Sequence, residues 1–156
     1  MSEVELYLIQ EGENCTVYTL QFLRDMDSEF EKFISKFKDD AEYSEDYSRI
    51  ATFVMRIAQT GALERYFRHE GNANDSVVAL PVTTSRLRLY CLRLSDKILV
   101  LGNGGVKKTQ RYEDDPILNG YVMTLQKFEL LLRQEVANGN VCITETTIET
   151  NHIFEL

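Results

Sequence analysis

The stretch SRLRLYCLRLSDKILVLGNGGVKKTQR, residues 85–111, decides how the rest of the chain is read. It carries two β-rich runs joined by a tight turn at Ser95-Asp96, then runs out into a glycine cluster and a lysine pair. Leu87, Leu89 and Cys91 alternate with Arg86, Arg88 and Tyr90. Two arginines and a tyrosine therefore share one strand face, a short ladder spaced to grip consecutive phosphates. Ile98, Leu99, Val100 and Leu101 are apolar throughout, as in a central strand buried on both faces. The glycine cluster Gly102-Asn103-Gly104-Gly105 is expected to break the sheet after them. The stretch holds seven cations, Arg86, Arg88, Arg93, Lys97, Lys107, Lys108 and Arg111, against Asp96, a net of +6 in a chain of formal charge −8. A local excess of one sign against the composition around it marks a candidate anion site, and phosphate is the commonest anion in reach. The plainer reading is the solvated face of an antiparallel hairpin. GNGGVKK lacks the spacing and the terminal Ser/Thr of a nucleotide-binding phosphate loop.

Working outward towards the N-terminus, residues 4–9 and 16–22 are two further β-rich runs, separated by a polar segment that contains Gly12. Tyr18, Leu20 and Phe22 put the larger apolar groups on one face of the second run. Ser28-Glu29-Phe30-Glu31 has the capping-box pattern, and Phe30, Phe33, Ile34 and Phe37 follow at helical spacing. A second helix is expected with Ser44 as its cap, Tyr47, Ile50, Ala51, Val54, Ile57 and Ala58 on its inner face, and Gly61 as its stop. Residues 65–76 read as a polar loop, in which His69, flanked by Arg68 and Glu70, is a solvated loop histidine. Residues 77–80 begin another strand, with Pro81 at its edge or bend.

Towards the C-terminus, Asp115 as N-cap and Pro116 as first residue open a third helix. Its apolar stripe is Ile117, Leu118, Tyr121, Val122, Leu125, Phe128 and Leu132, and Gly139 ends it. Gly120 inside this helix suggests a close neighbour. Residues 141–149 read as a last strand. The pattern is α+β: an antiparallel or mixed sheet with an N-terminal hairpin, a two-helix hairpin packed on it, and a C-terminal helix plus an extra strand. Residues 1–156 form one expected domain, of which 137–156 are a C-terminal extension.

Charge is partitioned along the chain: residues 1–50 sum to −8 and residues 51–136 to +3. This argues against a broad, non-specific nucleic-acid binder, which would be basic overall. Cys15, Cys91 and Cys142 have no metal-ligand spacing and read as buried thiols of a reducing compartment. Neither a signal segment nor an apolar run of membrane-spanning length is present in this sequence, so the expected location is the cytoplasm, without membrane contact. No metal cluster and no cofactor motif is found, nor a nucleophile–base pair for a small-molecule enzyme built on the glycine cluster.

The order of elements together with Arg86-Leu87-Arg88-Leu89-Tyr90, the apolar strand 98–101, Lys107-Lys108-Thr109-Gln110 and Asp115-Pro116 resembles the RelE/ParE toxin superfamily, in particular its HigB-like, phage-derived branch. The resemblance spans residues 4–135 and is carried by 86–116. It implies a RelE-like fold and a small toxin of a type II toxin–antitoxin system. Such a toxin cuts messenger RNA on the ribosome without a metal and is held inactive by an antitoxin protein. It also implies that Arg86, Arg88, Lys107 and Lys108 stabilise the phosphate during attack by the neighbouring 2′-hydroxyl. Tyr90 would shuttle a proton or stack, while Arg93, Lys97, Arg111 and Tyr112 contact RNA. The chain departs from that pattern at Gly105-Val106, where an aromatic is usual, at Asn103, where a histidine is usual, and in its acidic balance and extra C-terminal strand. The alternative is a non-catalytic RelE-like module that binds a protein or forms a homodimer.

Overall fold

Alternating apolar and polar residues in Glu3–Glu11 (β1) and Thr16–Phe22 (β2) make an antiparallel hairpin, with Val4 opposite Phe22 and Glu11 opposite Thr16. The computed structural model describes residues 2–81 and 85–156, and over these the hairpin opens an α+β fold with three helices. The remaining strands are Arg68–His69 (β3), Val77–Pro81 (β4), Leu87–Ser95 (β5), Ile98–Val106 (β6), Cys142–Ile143 (β7), Ile148–Glu149 (β8) and Phe154–Glu155 (β9). Seven of them form a mixed sheet in the order β3-β4-β5-β6-β2-β1-β9, and β7 pairs with β8 in a small sheet of its own. β2 runs parallel to β6, and the other described pairs are antiparallel.

The central strands are buried on both faces because helices cover both. On one side Phe33, Phe37, Ile50, Val54, Ile57 and Ala58, from helices Glu29–Phe37 (α1) and Ser44–Thr60 (α2), pack on Val17, Leu87, Leu89, Cys91, Leu99 and Leu101. On the other, Leu118, Val122, Leu125, Phe128 and Leu132 of helix Pro116–Ala137 (α3) cover Tyr18, Leu20, Tyr90, Leu92 and Val100. The capping box at Ser28 is complete: its hydroxyl accepts the Glu31 N–H, and the Glu31 carboxylate accepts the Ser28 N–H. Asp115 likewise accepts the N–H groups of Ile117 and Leu118 ahead of Pro116.

Several expectations are corrected. Ser44 is the first residue of α2 and caps nothing; the Asp40 carboxylate takes the Glu42 and Tyr43 N–H groups just before the helix. The turn between β5 and β6 lies at Asp96-Lys97. Residues 102–105 continue β6 and do not break it, with a bulge opposite Tyr90 where the register shifts between Leu89 and Cys91. Glycine is demanded there by closeness: a Cβ on Gly104 would stand 2.0 Å from the Arg88 carbonyl oxygen, and one on Gly102 3.1 Å from both Leu125 and the Tyr90 carbonyl.

In α3, Ile117 is 66% exposed and leaves the buried stripe, and nothing packs against Gly120. The single last strand expected over 141–149 is the β7–β8 hairpin, turned by Thr144 and Thr147 through their hydroxyls. The tail beyond it adds β9 to the outer edge of β1 and buries Phe154 against Phe128. Of the cysteines, Cys15 and Cys91 are buried and Cys142 is exposed. Burial pushes the Cys15 thiol up to about 11 and the Cys91 thiol higher still. Among the described residues no helix is long and apolar enough to cross a membrane.

Candidate functional site

Residues paired directly across a ladder point to the same face of a sheet. Arg68 pairs with Ala79 and Ala79 with Tyr90, while Pro81 pairs with Arg88 and Arg88 with Gly105. The pairing continues past the strand ends, since the Glu70 N–H donates to the Val77 carbonyl (2.9 Å) and the Lys107 N–H to the Arg86 carbonyl (2.8 Å). A spacing of two residues then places Glu70, Arg86 and Lys107 on that face as well. It is the face that carries α3, at the end of the sheet where the chain leaves β6.

Arg68, Arg86, Arg88, Lys107 and Lys108, with Thr109 and Gln110, line an open cleft of about 310 Å³ there. Five cations meet in it and, among the described residues, no carboxylate lines it. Arg86 and Lys108 are exposed, whereas Arg88 is 9% exposed. The Arg88 Nη1 donates to the carbonyls of Ser85 (2.6 Å) and Leu87 (3.1 Å), and Ser85 is itself fixed by its hydroxyl on Asp46 (2.7 Å). Burial and the neighbouring Arg68 push the Arg88 guanidinium below its ordinary range.

Three polar atoms beside this cleft have no hydrogen-bond partner among the described residues: Oε1 of Glu70, Nε of Arg88 and the hydroxyl of Tyr90. Glu70 is 7% exposed, and burial raises its carboxyl above the ordinary carboxylate range, against the pull of Lys107, Arg68, Arg88 and His69. Orphaned buried polar groups cost about 1–3 kcal/mol each, and these three gather near one set of charges. The loop that presents Glu70 is built by Asp75, which accepts from the N–H groups of Asn72 (2.8 Å) and Val77 (3.0 Å) and from the Gln126 amide (2.9 Å). Glu129 of α3 holds the same loop through the N–H (2.8 Å) and hydroxyl (2.6 Å) of Ser76.

The face-sharing of Arg86, Arg88 and Tyr90 is therefore present, but the row is not a surface ladder. Tyr90 has no exposed surface and lies under Tyr112, ring centroids 6.3 Å apart, so its hydroxyl titrates higher still by burial and neither ring stacks on a base from solution. Arg93, Lys97 and Arg111 lie outside the cleft lining and are engaged locally. Arg93 binds the Ala62 carbonyl (2.7 Å) and the Asp96 carboxylate, Lys97 binds Glu145 (2.5 Å), and Arg111 binds Glu113 (2.7 Å). Sequence reading missed Arg68 and Glu70. Their signal was the alternation Arg68, Glu70 beside a short β-capable run, hidden in a segment whose asparagines and glycine read as loop.

Among the described residues no group of three or more His, Cys, Asp or Glu side chains is placed to hold a metal ion. No protein-family model matches the chain, and no curated protein or solved structure is significantly similar to it.

Proposed function

We propose that the chain is a RelE-like toxin that cuts messenger RNA on the ribosome, with the five-cation cleft as the seat of the scissile phosphate. The observation that carries this is the convergence of Arg68, Arg86, Arg88, Lys107 and Lys108 on one cleft in a protein of net charge −8. Transfer from a phosphodiester to its own 2′-hydroxyl builds a dianionic phosphorane, which such a cluster stabilises more than it stabilises the monoanionic substrate. In this reading Glu70, a buried carboxylate behind the cleft, takes the 2′-hydroxyl proton as the 2′-oxygen bonds to phosphorus. The 5′-oxygen then leaves with a proton from Lys107 or Lys108, giving a 2′,3′-cyclic phosphate and a 5′-hydroxyl. Arg86 and Arg88 bind the non-bridging oxygens. A cytoplasmic antitoxin protein that covers the cleft completes the proposal.

The test is induced expression in a bacterial host while growth and protein synthesis are followed. Arrest with falling translation, relieved by Arg86→Ala with Lys107→Ala, is expected; unimpeded growth at good expression of the unaltered chain overturns it. Arg88 is a poorer choice because its removal also strips the Ser85 and Leu87 carbonyls of their donor. One observation favours the non-catalytic module, a protein binder or homodimer: the burial of Tyr90 withdraws an aromatic group from the cleft.

A further inference from the structure

The parallel pairing of β2 with β6 stops at Thr19 and Leu101, where the Thr19 hydroxyl donates to the Leu101 carbonyl (2.7 Å) and accepts the Phe30 N–H (3.2 Å). Beyond that point β6 parts from β2, and α1 and the start of α3 close on its freed edge. A groove of about 580 Å³ remains between them, larger than the cation cleft. Residues 104–106 line it together with Phe37 and Tyr43 on the α1 side and Ile117, Leu118 and Tyr121 on the α3 side, and its charged groups are Lys36 and Lys108 against Glu42 and Asp115. Lys108 lines both the groove and the cation cleft, so the two adjoin.

Lys36 makes the groove more than an apolar slot. Its stem is exposed but its amino end is turned inward, donating to the Gly104 carbonyl (2.7 Å) and the Tyr121 hydroxyl (3.0 Å) and standing 4.8 Å from the centre of the Tyr121 ring. No described carboxylate lies within ion-pair distance of it, and desolvation brings its pKa down to about 8 despite Glu29. An ammonium with no described carboxylate in ion-pair reach, 4.8 Å from the Tyr121 ring and 5.6 Å from the Phe37 ring, suits a flat polar ring attached to an anion.

Resting on the cleft reading above, we propose that this groove is a nucleobase subsite. The base next to the phosphate held by Lys108 enters between Tyr43 and Tyr121, and Lys36 meets its carbonyl edge or the following phosphate. Stacking on such walls tolerates any base, while the Lys36 ammonium favours one that offers a carbonyl oxygen.

The experiment measures binding of a short 2′-O-methyl oligoribonucleotide, which cannot be cut, and of the same strand with one central base removed. The full strand is expected to bind about tenfold more tightly than the abasic one. Tyr43→Ala should erase that difference, while Lys107→Ala weakens both strands alike. Ile117→Ala, at an exposed side chain whose loss leaves the core intact, is a second variant and should narrow the difference severalfold. Equal binding of the two strands to the unaltered chain overturns the subsite and leaves the cleft standing. Failure of both strands to bind overturns both, and a difference that persists in both wall variants places the base elsewhere.

Discussion

In the proposed reaction Glu70 is the residue on which the chemistry turns, because it combines burial, an orphaned oxygen and three cationic neighbours. A carboxyl whose folded pKa lies above its unfolded value is disfavoured as an anion in the folded state, so its ionisation works against folding. Replacing it with the uncharged isostere, Glu70→Gln, should therefore raise stability by about 1 kcal/mol at neutral pH while abolishing RNA cleavage. The gain should be absent below about pH 4, grow as pH climbs through the raised pKa, and be complete above it. Urea unfolding at pH 4 and pH 8 measures this, and an equal gain at both pH values would remove ionisation as its cause. This carboxylate was not legible in the sequence, since a Glu between His69 and Gly71 carries no sign of its own burial. It is buried by what the sequence leaves far away, Glu129 and Gln126 of α3 fastening the loop down.

At the scale of elements, β6 and the β3–β4 hairpin position the site. The glycines of β6 were legible as exceptional but were read for freedom to turn, whereas they answer a need for room. The sequence shows that a side chain is missing, and only the ladder shows what stands where it would be. Gly104→Ala drives a methyl against the Arg88 carbonyl and should cost about 3 kcal/mol, read from the unfolding midpoint. A change within 0.5 kcal/mol would mean that the bulge relaxes freely. The hairpin depends on Glu129, a buried carboxylate whose two oxygens accept from Ser76 and one of which also meets Arg133 (3.2 Å). Glu129→Ala should cost about 2 kcal/mol and speed amide exchange at Glu70 and Val77 ahead of the rest of the sheet. Uniform exchange across the sheet would show that Glu129 serves global stability alone.

Over the whole molecule, the hairpin, the three helices and the antiparallel middle strands were legible because each has a local cause. The capping box at Ser28, Asp115 before Pro116 and the alternation about Leu87, Leu89 and Cys91 speak through neighbours within a few residues. The parallel contact of β2 with β6, the docking of β9 on β1 and the second covered face of the sheet join residues roughly 80 to 150 positions apart, and no local pattern states them. The same limit applied to the site: two arginines and two lysines were visible from one stretch, but Arg68 and Glu70 reach it from another strand. Charge is likewise sorted in space, with the cations of the middle stretch divided between a shared cleft and ion pairs outside it to Asp96, Glu145 and Glu113.

The most direct measurement adds the purified chain to ribosomes translating a defined messenger RNA and maps the new RNA ends. Cuts are expected within the ribosome-bound segment that leave 5′-hydroxyl ends, slowed by about 100-fold or more in Lys107→Ala with Lys108→Ala at an unchanged unfolding midpoint. A messenger left intact by the unaltered chain, or cut as fast by the double variant, would contradict the proposed cleavage.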